Sequence, residues 1–376
     1  MQRRILCALF GLVALAGCQA TPAQGPVAPP AAPLSVPLEV TTVAEGLNYP
    51  WGLVLLPGGD MLVTERNSAT VRLVRGGQLV AAPVLTVPEV FVAGQGGLLD
   101  IALHPRFAET GWVYVSYATG TNAANATRLA RARWSGERLE GLEVLFTASP
   151  LKLGPAHFGG RLLFLPDGSL LLGLGDGFRD RMRAQDLSDH RGKIVRLTDT
   201  GAPAPGNPFA AAPAVFSYGH RNVQGLAQDR VSGALFAHEH GPRGGDEVNA
   251  LAAGRNYGWP VITYGVDYSG AEITPFRARE GMEQPLDTWS PSIAPSGMIV
   301  YRGGAFPQFE GDLLVTGLVS GSLWHLDLEA GRVVGRRELL ADRGARLRQV
   351  VEGPEGELYL LTDSDAGAIW RVTPGR

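Results

Sequence analysis

One phrase recurs along this chain and limits what it can fold into: an apolar strand, a turn built from Pro, Asp or Gly, then a second apolar strand. It appears six times. Residues 50–53 lead through Pro57-Gly58-Gly59-Asp60 to 61–64, residues 97–103 through His104-Pro105 to 112–115, and residues 160–164 through Pro166-Asp167-Gly168 to 170–173. Residues 224–227 then lead to 233–236, residues 296–300 through Glu310-Gly311-Asp312 to 313–315, and residues 348–351 through Gly353-Pro354-Glu355-Gly356 to 358–361. A third strand pattern commonly follows, as at 70–74, 193–197, 322–326 and 368–372. Repeats spaced by roughly 45 to 70 residues, each a small antiparallel sheet, are the signature of a β-propeller. The expectation is an all-β fold, a six-bladed β-propeller over residues 38–376, with the central channel of the ring as its default site. A β-sandwich would give steady short strand spacing without the turn phrase, and no amphipathic helical period of useful length is present.

The N-terminus reads as an export signal. Arg3 and Arg4 precede the apolar run 5–16, and Leu15-Ala16-Gly17-Cys18 is similar to the bacterial lipoprotein box. Residues 1–17 are therefore expected to be a signal peptide, and Cys18 to become the lipid-bearing first residue of an exported, membrane-anchored protein. Residues 18–37, uncharged and rich in Ala and Pro, read as the linker between anchor and domain. Cys7 leaves with the signal and Cys18 carries lipid, so no thiol remains for a disulfide. The 33 basic residues less Arg3 and Arg4, set against 36 acidic ones, leave the mature chain at minus five. With no basic block, nothing marks a nucleic-acid partner, and a small molecule is the expected ligand.

Polar, glycine-rich segments interrupt the repeats at 94–97, 155–161, 175–177, 219–225, 238–247 and 346–348. Loops of this kind on a rigid scaffold are where function is usually placed. Arg221, Arg346 and Arg348 offer planar forks suited to a multiply carboxylated or phosphorylated ligand, or to ion pairs on a blade surface. Arg346 and Arg348, two apart, share a face of a strand. Asp246 and Glu247, preceded by Gly241-Pro242 and two more glycines, supply the carboxylates and carbonyls that calcium takes, although a solvated turn reads the same way. His238 and His240 alternate as a strand would, and no further His-rich cluster lies near them to make a zinc site. His157, in a Gly-rich loop, is a candidate general base or a structural histidine.

Taken together and in order, six motifs carry a resemblance: GQGGLL at Gly94, HFGGRL at His157, GHRNVQGL at Gly219, HGPRGGDE at His240, NYGWP at Asn256 and RLRQV at Arg346. They resemble the soluble glucose and aldose sugar dehydrogenases that depend on pyrroloquinoline quinone, a family of six-bladed propellers, over nearly the whole mature domain. The resemblance implies oxidation of an aldose to a lactone, with His157 taking the proton of the anomeric hydroxyl while hydride passes to the quinone. It places Arg221 at the quinone oxygen where charge develops, and the carbonyls of Gly241 and Pro242 on a calcium ion beside it. It makes Gln95, Asp176, Asn222, Arg346 and Arg348 cofactor or substrate contacts, and Glu247, Asp267 and the backbone of Tyr257 a second, structural calcium site. The partner that reoxidises the cofactor would be a quinone or a cytochrome. Two features depart from the family. A lysine that reaches a cofactor carboxylate has no counterpart in 316–321, around Val319, and Ala156 stands where glucose-specific members carry an acid, which places the chain nearer the broad-specificity aldose branch. A calcium-dependent lactonase or esterase and a non-catalytic binding module are the alternatives, since one propeller scaffold hosts several functions.

Overall fold

The computed structural model describes residues 23–34 and 37–375; the signal sequence and Cys18 lie outside them. Six sheets, five of four strands and one of five, are arranged as a β-propeller. Each begins with an inner strand that carries one copy of the recurring phrase: Pro50–Leu55, Leu98–Leu103, Gly159–Phe164, Val223–Gln228, Pro295–Val300 and Leu347–Glu352. Consecutive inner strands pack side by side, and the last packs against the first, so the ring closes. Closure is fastened by strand Leu38–Leu47, which pairs antiparallel with Gly367–Pro374 and completes the sixth blade from the opposite end of the chain.

Burial explains why the phrase must repeat. Six apolar clusters lie between successive blades, each joining residues of two neighbours: Leu62 and Val71 meet Ile101 and Val115, for example, and Leu361 and Ile369 meet Leu53 and Val63. A blade is thus apolar on both faces, and every blade needs two neighbours to remove those faces from water. A seventh, small cluster of Trp51, Leu99, Ala118 and Phe158 lies beside the channel.

Arg161, from the HFGGRL segment, ties the centre together. It is buried, and its guanidinium reaches Asp100 of the second blade at 2.9 Å, the Gln224 carbonyl of the fourth at 2.8 Å and the Ser296 carbonyl of the fifth at 2.7 Å. Its flat face covers the Trp51 ring of the first blade.

The Ala/Pro segment expected as a linker is not free of the domain where it is described. Pro26 accepts from the Thr288 backbone, Ala28 donates to Asp287, and Pro29 and Ala31 bond to either side of Arg336. Proline cannot donate a backbone hydrogen bond, but its carbonyl accepts one, so a Pro-rich strap can still dock on a blade edge.

Candidate functional site

Two cavities at the channel share Gln95, His240 and Ala294 as walls. The larger, about 640 Å³, is lined by His157, Arg221, Gly241, Pro242, Tyr268 and Val319 among others. The smaller, about 270 Å³, is lined by Arg66, Asn222, Gln224, Arg346 and Arg348 among others. No Asp or Glu lines either one among the described residues.

His157 owes its position to backbone that only this sequence context permits. It sits at φ 53°, in the left-handed region, and its own carbonyl lies where a Cβ on Gly175 would be, 2.2 Å away. Its amide donates to Gln95 Oε1 at 2.8 Å, and its Nδ1 lies 2.6 Å from Asp176 Oδ1. Asp176 also accepts from the Phe178 amide and the Trp259 indole, both at 2.7 Å. Burial alone would raise the Asp176 carboxyl, but the His157 hydrogen bond and charge, with Arg221, hold it below its ordinary value. An ionised Asp176 makes Nδ1 the protonated nitrogen and leaves Nε2 its lone pair. Burial, and then the charge of Arg221, lower the His157 pKa against the pull of Asp176, so the imidazole is neutral at pH 7. Asp176, expected as a ligand contact, therefore stands behind the histidine and not on a cavity wall.

Arg221 faces the same cavity. Its Nη1 donates to the carbonyls of Gly241 at 2.6 Å and His240 at 3.1 Å, its plane lies near the Trp259 and Tyr268 rings, and its buried Nε has no partner. Of the two carbonyls expected on calcium, that of Gly241 is thus taken by the Arg221 guanidinium, which a calcium ion would have to displace. Asp246, read as a possible cation ligand, is spent elsewhere: it accepts from Gly241, Ala294 and Ser292 and clamps two cavity loops together. Burial raises its carboxyl to about 6 despite those bonds.

Arg346 and Arg348 both pair with Asp363, at 3.1 and 3.3 Å. Burial lowers the Arg348 guanidinium to about 10, and its buried Nε has no partner. Asn222 accepts from Gly159 and Gln224.

The residues expected at a second cation site are only partly brought together. Glu247 is half-buried opposite Glu239 on the neighbouring strand, and desolvation together with that second carboxylate pushes its carboxyl up to about 8. Glu239 holds His220 at 2.9 Å, and His220 stacks on Tyr257. Glu239 is marked in the sequence only by its place between His238 and His240 on an alternating strand. Two facing carboxylates, one of which holds a histidine stacked on Tyr257, suit a cation. Asp267 is not brought to this cluster by any contact: Arg181 takes its carboxylate at 2.8 Å and its own turn binds it through Ser269. Among the described residues, the one three-ligand group is elsewhere, at Asp312, His325 and Asp327. There Arg337 donates to His325 Nδ1, which fixes the proton on Nε2 between the two carboxylates and leaves no lone pair for a metal.

A propeller whose channel joins a buried His–Asp pair to clustered guanidiniums is built to hold a small anionic ligand beside a base, and comparison with known proteins defines its class. The glucose/sorbosone dehydrogenase family model matches residues 47–371. The aldose sugar dehydrogenase YliI of Escherichia coli is 38% identical over 346 residues, covering 90% of this chain and 93% of that protein. The structure of the PQQ-bound aldose sugar dehydrogenase of Streptomyces coelicolor superposes with a TM-score of 0.76 at 36% identity, over 91% of this chain and all of that one. A solved glucose dehydrogenase reaches a TM-score of 0.85 at 42% identity, over 90% and 99% of the two chains. The chain belongs to the glucose/sorbosone dehydrogenase family of oxidoreductases.

Proposed function

We propose that this protein oxidises aldose sugars at C1 to lactones, with pyrroloquinoline quinone and calcium held in the channel. The observation that carries the reading is the His157–Asp176 pair set beside Arg221 on a cavity with no carboxylate wall. Gln95, Asn222, Arg346 and Arg348 would hold the quinone and its carboxylates, and the Gly241 and Pro242 carbonyls the calcium. When bound, the quinone supplies a two-electron acceptor and calcium a Lewis acid. His157 Nε2 takes the anomeric hydroxyl proton as the C1 hydrogen leaves with its electron pair and the C1–O double bond forms. Asp176 holds the imidazole in the tautomer that can accept that proton, and Arg221 presents fixed positive charge where negative charge develops. Loading purified apo-protein with the quinone and calcium should give dye-linked oxidation of aldoses. A protein that binds the quinone yet oxidises no aldose would refute the activity.

The hydrolase alternative asks for carboxylates converging on one channel metal, and the cavity lining offers guanidiniums instead.

The lipoprotein reading rests on the sequence Leu15-Ala16-Gly17-Cys18. Gln24 lines the larger cavity and lies six positions after Cys18 in the sequence, a reach of about 20 Å when extended. An anchor at Cys18 would thus keep the cavity mouth close to a membrane, where a quinone or a cytochrome takes the electrons. Cys18→Ser should move the protein from the membrane to the soluble fraction or block its processing; unchanged fractionation would refute the anchor.

A further inference from the structure

The loop around Val319 lacks the cation that its relatives were expected to place on a cofactor carboxylate, and Val319 is 65% exposed at the cavity wall. A different blade supplies one. Arg66 follows the second strand of the first blade, Met61–Glu65, and lines the smaller cavity with Arg346 and Arg348. Its guanidinium lies over the Tyr49 ring, 5.2 Å from the centroid, and makes one side-chain hydrogen bond, from Nε to Asn67 Oδ1 at 3.2 Å. It forms no ion pair with an acid among the described residues.

The stem of Arg66 is held as well as its head. Leu98 donates to its carbonyl, and Gly97, at φ 145°, lies so close that a Cβ would stand 2.4 Å from that carbonyl and 2.5 Å from the Arg66 Cγ. Gly97 of the GQGGLL segment therefore makes room for this side chain.

Charge at the cavity does not balance. Burial pushes the Asp363 carboxyl up, but Arg348, Arg66 and Arg346 together outweigh that and hold it below its ordinary value. Arg346 and Arg348 pair with that one carboxylate, Arg66 pairs with none, and no acid lines the cavity itself among the described residues. An excess of two positive charges on a concave wall with few hydrogen-bond partners is suited to a polycarboxylate ligand.

We propose that Arg66 is a third cofactor-binding guanidinium, which binds a carboxylate of the quinone in place of the cation absent near Val319. The proposal rests on the quinone reading above. Its positioning by Tyr49 and Gly97 lowers the conformational entropy that a free arginine would lose on binding.

The test is equilibrium binding of pyrroloquinoline quinone to calcium-loaded apo-protein, read by quenching of tryptophan fluorescence. Arg66→Gln should weaken binding roughly ten- to a hundredfold, the range for a hydrogen bond to a charged group, with the melting temperature of the apo-protein unchanged. Arg66→Lys, which keeps the charge, should lose less. Against a quinone whose carboxylates are esterified, parent and Arg66→Gln should bind alike. Equal losses in the Gln and Lys variants, or a loss that persists against the ester, would assign Arg66 to packing and overturn the proposal. Parent protein that binds no quinone would instead overturn the cofactor reading itself, and this proposal with it.

Discussion

Asp176→Asn separates positioning of the base from its presence. The carboxylate accepts three hydrogen bonds, from His157 Nδ1 at 2.6 Å, the Phe178 amide at 2.7 Å and the Trp259 indole at 2.7 Å, and Asp176 is 1% exposed. An amide has only one oxygen. If it stays on His157 and Phe178, the new NH₂ faces the Trp259 N–H, donor against donor. If it turns to Trp259, the NH₂ faces the Phe178 amide and offers a hydrogen to Nδ1, which moves the imidazole proton to Nε2 and removes the base. Either arrangement leaves a buried donor unsatisfied, at about 1–3 kcal/mol of stability. The first keeps the tautomer but removes the negative charge that stabilises the imidazolium formed in the reaction, and the second also removes general-base catalysis, which contributes roughly 10²–10⁴-fold. Turnover of the reconstituted variant with an aldose and a dye should therefore fall by at least about two orders of magnitude, while quinone affinity, read by fluorescence, changes little. The parent should retain activity below pH 6.5: His157 acts when neutral, and burial and Arg221 lower its pKa, so the acid limb of kcat lies below the ordinary histidine value of about 6.5. An Asp176→Asn enzyme with parental turnover and an unshifted acid limb would refute the positioning argument.

His157→Ala should cost about 10²–10⁴ in turnover with quinone binding nearly intact; an enzyme of parental rate would remove His157 from the reaction. Chelation of calcium should lower the melting temperature along with activity, because a ligand held at a hundred times its Kd stabilises the fold by about 2.7 kcal/mol, and calorimetry with and without chelator reads this directly. An unchanged transition would count against the calcium proposed for the channel and against a cation between Glu239 and Glu247. Arg161→Met strands Asp100 and two carbonyls in the centre of the ring, which should cost about 3–5 kcal/mol in urea unfolding; a loss under about 1 kcal/mol would show that the three-blade tie is not what holds the channel.

Much of the ring is written locally, and much of the site is not. Inner strands such as Leu98–Leu103 and the turns that follow them must satisfy strand and turn chemistry within about a dozen residues, so the repeat is visible by eye. Outer strands are less legible: Leu139–Thr147 alternates poorly because much of it faces solvent, and Asp287–Trp289 has only three residues. The strap at 26–31 reads as linker because its composition carries no period, yet docking needs only carbonyls and two free amides at a blade edge. At the site, glycine spacing points to the loops but not to who faces whom. Asp176 and His157 are separated by one blade hairpin, so only the fold shows that the acid stands behind the base and not beside the ligand. Asp267 has a fitting residue type, and Arg181 claims it across 86 residues of chain. Arg66 shows the opposite failure. At the end of an apolar strand it reads as an ordinary solvated arginine, and it becomes a channel residue only once the ring has brought the first and sixth blades together. Closure itself, which no local pattern reports, is what joins Arg66 to the distant Arg346–Arg348 pair in one positively charged wall.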